Sequence, residues 1–333
     1  MSKHANISVF VAHVGCRHRC SFCDQRSITG ESSLPRGEDI DKAVKIAMSS
    51  PKYSPENTEI AFFGGSFTAI DYDYMTELLC SAYKYVKSRK VKGIRVSTRP
   101  DAIDSNILNV LKGYGVTAIE LGAQSMDEDV LYANKRGHSA EAVYNASSLI
   151  KEYGFSLGLQ MMTGLYGSTK EKDRKTVDEF IKIHPDTVRI YPTIILKNTA
   201  LARLYEKGEY IPFSLEETVE QCCDYYSSFT KAGIEVIRMG LHHINEEDYV
   251  AGPWHPAFSQ LCTSRMCYNH LYEELKTKPK GEYKVYVALC EISDFVGQKR
   301  ENILKLKEKG YVCSIHGDTD LITGQFRIEG IVK

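Results

Sequence analysis

Three cysteines near the N-terminus have the spacing of a metal-binding loop. Cys16, Cys20 and Cys23 lie in the segment GCRHRCSFCD, which directly follows the apolar run Ile7–Ala12. Thiolates are preferred ligands of iron–sulfur clusters, and cysteines this close together on one loop can wrap around a cubane. Three thiolates would leave the fourth iron of a [4Fe–4S] cluster open. The spacing therefore predicts a metal centre with a free position for a reactant.

Two other interpretations of these cysteines stay open at this point. A zinc ion could be completed by His13 or His18, or the three thiols could be unrelated to one another. The strand before the loop and the aromatic Phe22 just before the third cysteine favour the cluster. A disulfide framework is not indicated, because ten cysteines are a small fraction of 333 residues and the N-terminus does not resemble a signal peptide.

Strand-like and helix-like segments alternate over the first two-thirds of the chain. Short apolar runs alternate with amphipathic stretches, and in the stretch Asp73–Arg89 the apolar residues recur at helical spacing. This alternation is typical of parallel βαβ units. Six units are too few for a closed eight-fold barrel, so we predict an α/β fold, a partial (β/α)6 barrel, with function at the carboxyl ends of its strands. The six predicted strands are Ile7–Ala12, Glu59–Phe63, Gly93–Ser97, Ala118–Leu121, Ser156–Met162 and Thr187–Tyr191.

The pattern changes after Pro192, and we expect three regions. The barrel core spans 1–200, a substrate-side extension with an aromatic and histidine-rich lid spans 201–277, and a small α+β region spans 281–333. Between the last two lies the turn-forming sequence TKPKGE.

Composition restricts the classes of protein that the chain can belong to. The net charge of −1 gives no overall electrostatic attraction to nucleic acid, so any basic surface must be local. No apolar run reaches the roughly 20 residues that span a bilayer. We therefore expect a cytoplasmic protein with no membrane partner.

The order of strand, CxxxCxxC loop and aromatic residue resembles the radical S-adenosylmethionine (SAM) superfamily. The resemblance covers about residues 7–200 and implies that SAM binds at the open iron of the cluster. It further implies that reductive cleavage of SAM yields a 5′-deoxyadenosyl radical that abstracts hydrogen from the substrate. Locally the sequence is most similar to the Elongator catalytic subunit family, and more distantly to the oxygen-independent coproporphyrinogen oxidases. Because the chain stops at Lys333, we expect no acetyltransferase domain after the core.

The same resemblance implies a set of SAM contacts that follow successive strands. Glycines after the second strand would let backbone groups approach a ligand closely, and Pro100 biases Arg99 towards an extended conformation. Where the coproporphyrinogen oxidases have an aspartate after the fifth strand, this chain has Gln160. The expected SAM-binding residues are Phe22, Gly64, Gly65, Ser66, Ser97, Arg99, Gln124, Arg136 and Gln160.

On the substrate side, Tyr191 and Lys197 resemble the Elongator-like branch and are predicted to face the cavity from the sixth strand and its loop. They are the candidate catalytic residues. Trp254 lies beside a histidine between two prolines. It could stack on a nucleobase, although a rigid turn buried against the barrel explains it equally well.

The tail resembles a KH-type segment, a module that clamps a nucleic acid backbone with a GxxG loop. Gly297 keeps the first glycine, Arg300 replaces the second, and Lys299 and Arg300 could pair with phosphate. The alternative is a surface helix whose lysines are simply solvated.

These features predict an RNA-modifying radical SAM enzyme that acts on tRNA or rRNA and takes electrons from a flavodoxin- or ferredoxin-type donor. One alternative is a radical SAM enzyme for a small molecule such as a tetrapyrrole or metabolite. The other is a non-catalytic iron–sulfur or RNA-binding sensor protein.

Overall fold

The computed structural model describes residues 4–11, 16, 20–24, 34–241 and 244–331. The chain divides into two compact units, one of Met1–Ser214 with Ser228–Trp254 and one of Leu215–Ser227 with His255–Lys333. This division differs from the three regions expected from sequence. Residues 201–277 form no unit of their own, because some of them pack with the barrel and the rest pack with the C-terminal sheet.

The first unit is built on one parallel sheet of seven strands. Strands β1–β6 and β8 form this sheet in that spatial order, and β7 and β9 form a separate antiparallel pair. All six predicted strands are present, and β8 is the seventh strand, added beside β6. The nine strands are β1 (Ala5–Phe10), β2 (Thr58–Phe63), β3 (Gly93–Thr98), β4 (Val116–Gln124), β5 (Ser156–Thr163), β6 (Thr187–Pro192), β7 (Ile195–Leu196), β8 (Glu235–Met239) and β9 (Tyr249–Ala251).

Burial explains why these segments form strands of a parallel sheet. The first five of the six residues of β2, from Thr58 to Phe62, are buried, as expected for a strand covered on both faces. The partial α/β barrel predicted from the strand–helix alternation is therefore confirmed as an open parallel sheet.

Eight helices follow these strands or connect them in the described part of the chain. Most begin at a residue whose side chain accepts a hydrogen bond from the first turn, for example Asp71 from the Tyr74 amide and Thr169 from the Lys172 amide. They are α1 (Gly37–Met48), α2 (Tyr72–Lys87), α3 (Ser105–Gly113), α4 (Glu128–Ala133), α5 (Ala140–Glu152), α6 (Lys170–Ile183), α7 (Ala200–Glu206) and α8 (Leu215–Lys231).

The second unit is a three-stranded sheet with helices on one face. Its elements after α8 are α9 (Phe258–Leu275), β10 (Gly281–Ala288), α10 (Ile292–Val296), α11 (Glu301–Glu308), β11 (Tyr311–Asp318) and β12 (Phe326–Gly330). The central strand β10 pairs in parallel with β11 and antiparallel with β12. Its core joins sheet and helix residues such as Leu271, Val285, Phe295 and Leu306.

No helix among the described residues is long and apolar enough to cross a membrane.

Candidate active site

A cavity of about 350 Å³ opens at the carboxyl ends of the strands of the first unit. It is lined by Phe10, Phe63, Gln124 and Tyr191, which end β1, β2, β4 and β6 or lie next to their last residue. Parallel strands bring their carboxyl ends to one edge of a sheet, so residues far apart in sequence meet here. Of the predicted site residues, the cavity is lined by Cys16, Cys20, Phe22, Cys23, Gly64, Gly65, Ser97, Arg99, Gln124, Arg136, Gln160 and Tyr191.

The three predicted ligand thiols lie together at this cavity. Burial, together with the neighbouring Cys20 and Cys16 thiolates, raises the pKa of Cys23 to about 12. Burial and Cys20 also raise the pKa of Cys16, while Arg99 and Arg136 lower it. Crowded thiols hold their protons until a cation compensates their charge, which is the behaviour of metal ligands.

The geometry also bears on the zinc alternative. In the part of the chain that the structure describes, no three histidine, cysteine, aspartate or glutamate side chains are arranged to hold a single metal ion. His13 and His18 lie outside the described residues. A cubane is larger than an ion and takes one thiolate at each iron, so a looser group of thiols suits it.

A glycine pair after β2 forms one wall of the cavity. Gly64 and Gly65 have φ angles of 87° and 30°, in the left-handed region that favours glycine. A Cβ atom on Gly64 would lie 3.1 Å from the carbonyl oxygen of Val11, so a larger residue would push β1 and the loop apart. This wall offers bare backbone to a ligand, which is what a SAM contact at these glycines requires.

Ser66 is the one predicted SAM contact that does not line the cavity. Its hydroxyl lies 2.9 Å from the Thr98 hydroxyl and accepts a hydrogen bond from the Arg99 amide at 3.2 Å. Ser66 is fully buried. It therefore joins the loops after β2 and β3, and its hydrogen bond holds the backbone of Arg99, a residue that lines the cavity.

The amide pair Gln124 and Gln160 lies on the adjacent strands β4 and β5. Gln124 has a φ of 68°, uncommon for a residue with a side chain, and the β4–β5 register shifts between Leu121 and Gln124. The Gln160 Nε2 atom donates to Gln124 Oε1 at 3.2 Å. Strained backbone of this kind is retained where it aims a side chain, and here it turns Gln124 towards the cavity.

Two arginines reach the cavity with different partners. Arg99 makes a bidentate pair with Asp101, with Nε–Oδ1 and Nη2–Oδ2 distances of 2.8 and 2.6 Å. Arg136 donates from Nη1 to the Cys20 sulfur at 2.9 Å and from Nη2 to the Gly122 carbonyl at 2.5 Å. Among the described residues, no group accepts a hydrogen bond from its buried Nε. Arg136 thus contacts a predicted ligand thiol and has one donor that could bind an anion such as a carboxylate.

The floor of the cavity holds a charged network that the sequence analysis missed. Glu120 on β4 accepts from Arg189 Nε and Nη2 at 2.8 and 2.9 Å and from Arg95 Nη1 at 3.2 Å. Arg95 also pairs with Glu59 at 2.8 Å. All four side chains are buried. The signal was available in the sequence, because buried parallel strands rarely contain charged residues unless these are paired.

Tyr191 and Lys197 are not brought together. Tyr191 lines the cavity, its hydroxyl is hydrogen-bonded to Arg189, and burial raises its pKa. The Lys197 side chain is exposed and lies outside the cavity lining, while its backbone amide donates to the Asp248 carbonyl at 2.8 Å. The prediction that Lys197 faces the cavity is therefore wrong, because the β7–β9 pairing holds this loop at the surface.

The tryptophan of the predicted lid packs against side chains that line the cavity. Half-buried Trp254 packs against Tyr249, with ring centroids 5.4 Å apart, and against the cluster of Ile194, Leu196 and Ile244. Those three aliphatic side chains line the cavity. The contacts of Trp254 are thus those of a rigid turn, and base stacking stays a prediction; the histidines at 242–243 lie outside the described residues.

The predicted nucleic-acid loop belongs to the second unit and joins α10 to α11. Gly297, Lys299 and Arg300 have φ angles of 77°, 49° and 64°. A Cβ atom on Gly297 would lie 2.9 Å from Cγ of the buried Asn302, so only glycine fits. Arg300, which stands where a GxxG loop would have its second glycine, has a left-handed backbone. The side chains of Lys299 and Arg300 are exposed.

Comparison with known proteins places the chain in a family. The Radical SAM superfamily model matches residues 11–180, and the Radical_SAM C-terminal domain model matches residues 185–267. Members of this superfamily are enzymes that bind a [4Fe–4S] cluster and SAM, and the thiols, glycine wall and unpaired Arg136 donor fit those two groups.

Two curated relatives each match half of the chain. The chain is 29% identical to the tRNA uridine(34) acetyltransferase of Methanocaldococcus infernus over 50% of its length and 35% of the relative's. It is 30% identical to human Elongator complex protein 3 over 50% of its length and 34% of the relative's. The chain therefore matches about a third of each of these relatives.

A solved structure of the archaeal Methanocaldococcus infernus Elp3 lacking residues 1–46 superimposes with a TM-score of 0.64 at 23% identity. The match covers 85% of this chain and 66% of that one, which shows a shared fold. The superfamily model spans half of the sequence, and the predicted cysteines, glycines and glutamines of this chain line one cavity. The chain is therefore an enzyme of the radical SAM superfamily.

Proposed function

We propose that this enzyme modifies RNA, with tRNA or rRNA as its substrate, in the cytoplasm. The observation that carries the radical chemistry is the single cavity that brings Cys16, Cys20 and Cys23 together with the glycine wall and the glutamine pair. The RNA substrate is supported by the tRNA-modifying names of the relatives and by the basic loop at 297–300.

Each group of residues has its part in this proposal. The reduced cluster, when bound, supplies the electron that cleaves SAM into methionine and a 5′-deoxyadenosyl radical. Cys16, Cys20 and Cys23 hold the cluster. The SAM contacts are backbone at Gly64 and Gly65, the side chains of Phe22, Ser97, Gln124 and Gln160, and the guanidinium groups of Arg99 and Arg136.

The substrate side of the cavity has a polar floor and an apolar wall. Tyr191 presents a phenol that Arg189 orients, and Glu120 holds Arg189 in place. Ile194, Leu196 and Leu241 contribute an apolar part of the cavity lining. A planar base fits such a site, because its ring faces are apolar and its edge carries hydrogen-bonding groups. A ferredoxin- or flavodoxin-type protein would deliver the electron.

The mechanism is tested by reconstituting the cluster without oxygen and adding SAM and dithionite. 5′-Deoxyadenosine is then measured with and without total cellular RNA, and Cys20→Ala serves as the control. We expect product that requires Cys20 and increases with RNA. A yield of 5′-deoxyadenosine that does not change with RNA would favour a small-molecule substrate. A protein with a fully reconstituted cluster that forms no 5′-deoxyadenosine would contradict the enzyme assignment.

RNA contact through the second unit has a separate test. The double variant Lys299→Glu, Arg300→Glu should weaken RNA binding at least tenfold at 50 mM salt and flatten its salt dependence, because two phosphate contacts are lost. Lys42→Glu, Lys45→Glu on α1 is the charge-matched control, with two exposed lysines reversed. Equal losses in both variants would show that only net charge matters.

A further inference from the structure

The three ligand cysteines are held by one loop, and the structure shows what holds part of that loop. Residues 20–23 form a turn closed by a hydrogen bond from the Cys23 amide to the Cys20 carbonyl at 3.2 Å. Such a turn places its first and last residues side by side. It therefore presents two of the three thiols, and anything that fixes the turn fixes both of them.

Ser21 lies inside this turn and has all its polar groups bonded to other segments. Its amide donates to the Asn134 carbonyl at 3.1 Å, and its hydroxyl donates to Asn134 Oδ1 at 2.5 Å. Its carbonyl accepts from the Leu201 amide at the start of α7 at 2.8 Å. Only 2% of Ser21 is exposed, so water does not replace these partners.

Asn134 is itself fixed from three sides. It ends α4, is fully buried, and donates from Nδ2 to the Val130 and Tyr166 carbonyls at 2.8 and 2.9 Å. Its Oδ1 and its backbone carbonyl are the two atoms that take the hydrogen bonds of Ser21. One side chain therefore joins the end of α4, the loop after β5 and the turn of the cysteine loop.

We propose that Asn134 is a positioning residue of the cluster site. It sets the conformation of the 20–23 turn, so that the Cys20 and Cys23 thiols are presented before the cluster binds. Residues that orient metal ligands commonly change metal affinity 10- to 100-fold when they are removed. The inference concerns cluster binding alone and does not depend on the RNA substrate.

The test compares how fast the cluster is lost, not how active the enzyme is. Reconstituted Asn134→Ala and Ser21→Ala proteins are exposed without oxygen to an excess of a ferrous chelator, and iron release is followed by absorbance. We expect release about tenfold faster than in the unaltered protein. Ser21→Thr keeps the hydroxyl and should restore slow release. Asn106→Ala, an exposed asparagine on α3, is the matched control and should change nothing.

The melting temperature of the cluster-free protein separates positioning from packing. A role confined to packing would lower the melting temperature of Ser21→Ala and leave its iron release unchanged, and that result would overturn the proposal. Asn134→Ala removes more contacts, and if it fails to fold, Ser21→Ala and Ser21→Thr decide the question by themselves.

Discussion

At the scale of single residues, the site is defined by the contacts that its charged side chains make. Arg136 is the clearest case, because its guanidinium donates a hydrogen bond to the Cys20 sulfur at 2.9 Å. The resemblance to known sequences implied that Arg136 binds SAM, but no pattern in sequence reveals a contact with a residue 116 positions away.

Removing Arg136 should lower the reduction potential of the cluster. A cation that donates to a cluster sulfur stabilises the reduced, more negative state. We expect Arg136→Gln to lower the midpoint potential by about 60 mV, a tenfold change for one electron, in a redox titration followed by electron paramagnetic resonance without SAM. Lys135→Gln removes a neighbouring exposed charge as the control. Equal shifts in both variants would attribute the effect to net charge and not to the hydrogen bond.

Asp173 should make stability depend on pH. Burial raises the pKa of this carboxyl to about 6 although it accepts hydrogen bonds from the Gly164 amide and the Ser168 hydroxyl. The folded state therefore binds the proton more tightly than the unfolded state, whose pKa is near 3.8. The stabilisation is present in full below pH 4 and is lost as the pH rises through 6.

The measurement is the free energy of unfolding of the unaltered protein minus that of Asp173→Asn. This difference should increase by about 2 kcal/mol as the pH falls from 7 to 4. Asp178→Asn, a half-exposed carboxyl on the same helix, is the control. A difference that stays constant with pH would show that Asp173 is ionised throughout this range.

At the scale of elements, the periodicity of apolar residues predicted the long helices and the buried strands but not the short helices. The long helices and buried strands of the barrel were found because their apolar residues repeat over many positions, as in α2 with Met75, Leu79 and Ala82. The short helices α4, α7 and α10 have five to seven residues and were missed, since so few positions show no period. For the same reason, the contacts of Asn134 were not predicted, and Lys197 was expected to face the cavity although its side chain is exposed.

The charged network across β2, β3, β4 and β6 should stabilise the sheet itself. In Glu120→Ala, Arg189 loses both of its carboxylate hydrogen bonds and stays buried. Leaving a buried charge unpaired costs about 3–5 kcal/mol. Unfolding by denaturant should show this loss for Glu120→Ala, while Glu152→Ala at the exposed end of α5 changes stability by less than about 0.5 kcal/mol. A small effect at Glu120 would mean that water reaches Arg189.

At the scale of the whole molecule, one helix is shared between the two units. The first part of α8, Leu215–Ser227, belongs to the second unit, where Glu216 and Glu220 pair with Arg265 and the Cys223 thiol contacts the Cys262 carbonyl. Composition and turn signals suggested a boundary at 200 and another at 277. Neither signal could reveal that a continuous helix contributes to both cores.

A chain cut after Trp254 should therefore lose structure before the cut. Without α9, Glu216 and Glu220 lose their partner Arg265 and Cys223 loses its contact with Cys262, so this part of α8 should open to protease. We expect a glutamate-specific protease to cut the 1–254 fragment after Glu216, Glu217 or Glu220, and to spare these sites in the full chain. Equal resistance in both proteins would show that α8 is stable by itself.

The left-handed backbone at Lys299 and Arg300 has a consequence for how this loop can evolve. A side chain in that conformation costs roughly 1 kcal/mol relative to glycine, so glycine at either position should stabilise the loop. Every arginine codon is one nucleotide from a glycine codon. Substitution of Arg300 by glycine therefore needs a single nucleotide change and stabilises the loop, so random mutation favours a GxxG sequence. A lineage that keeps a basic residue at position 300 reveals selection for the charge itself.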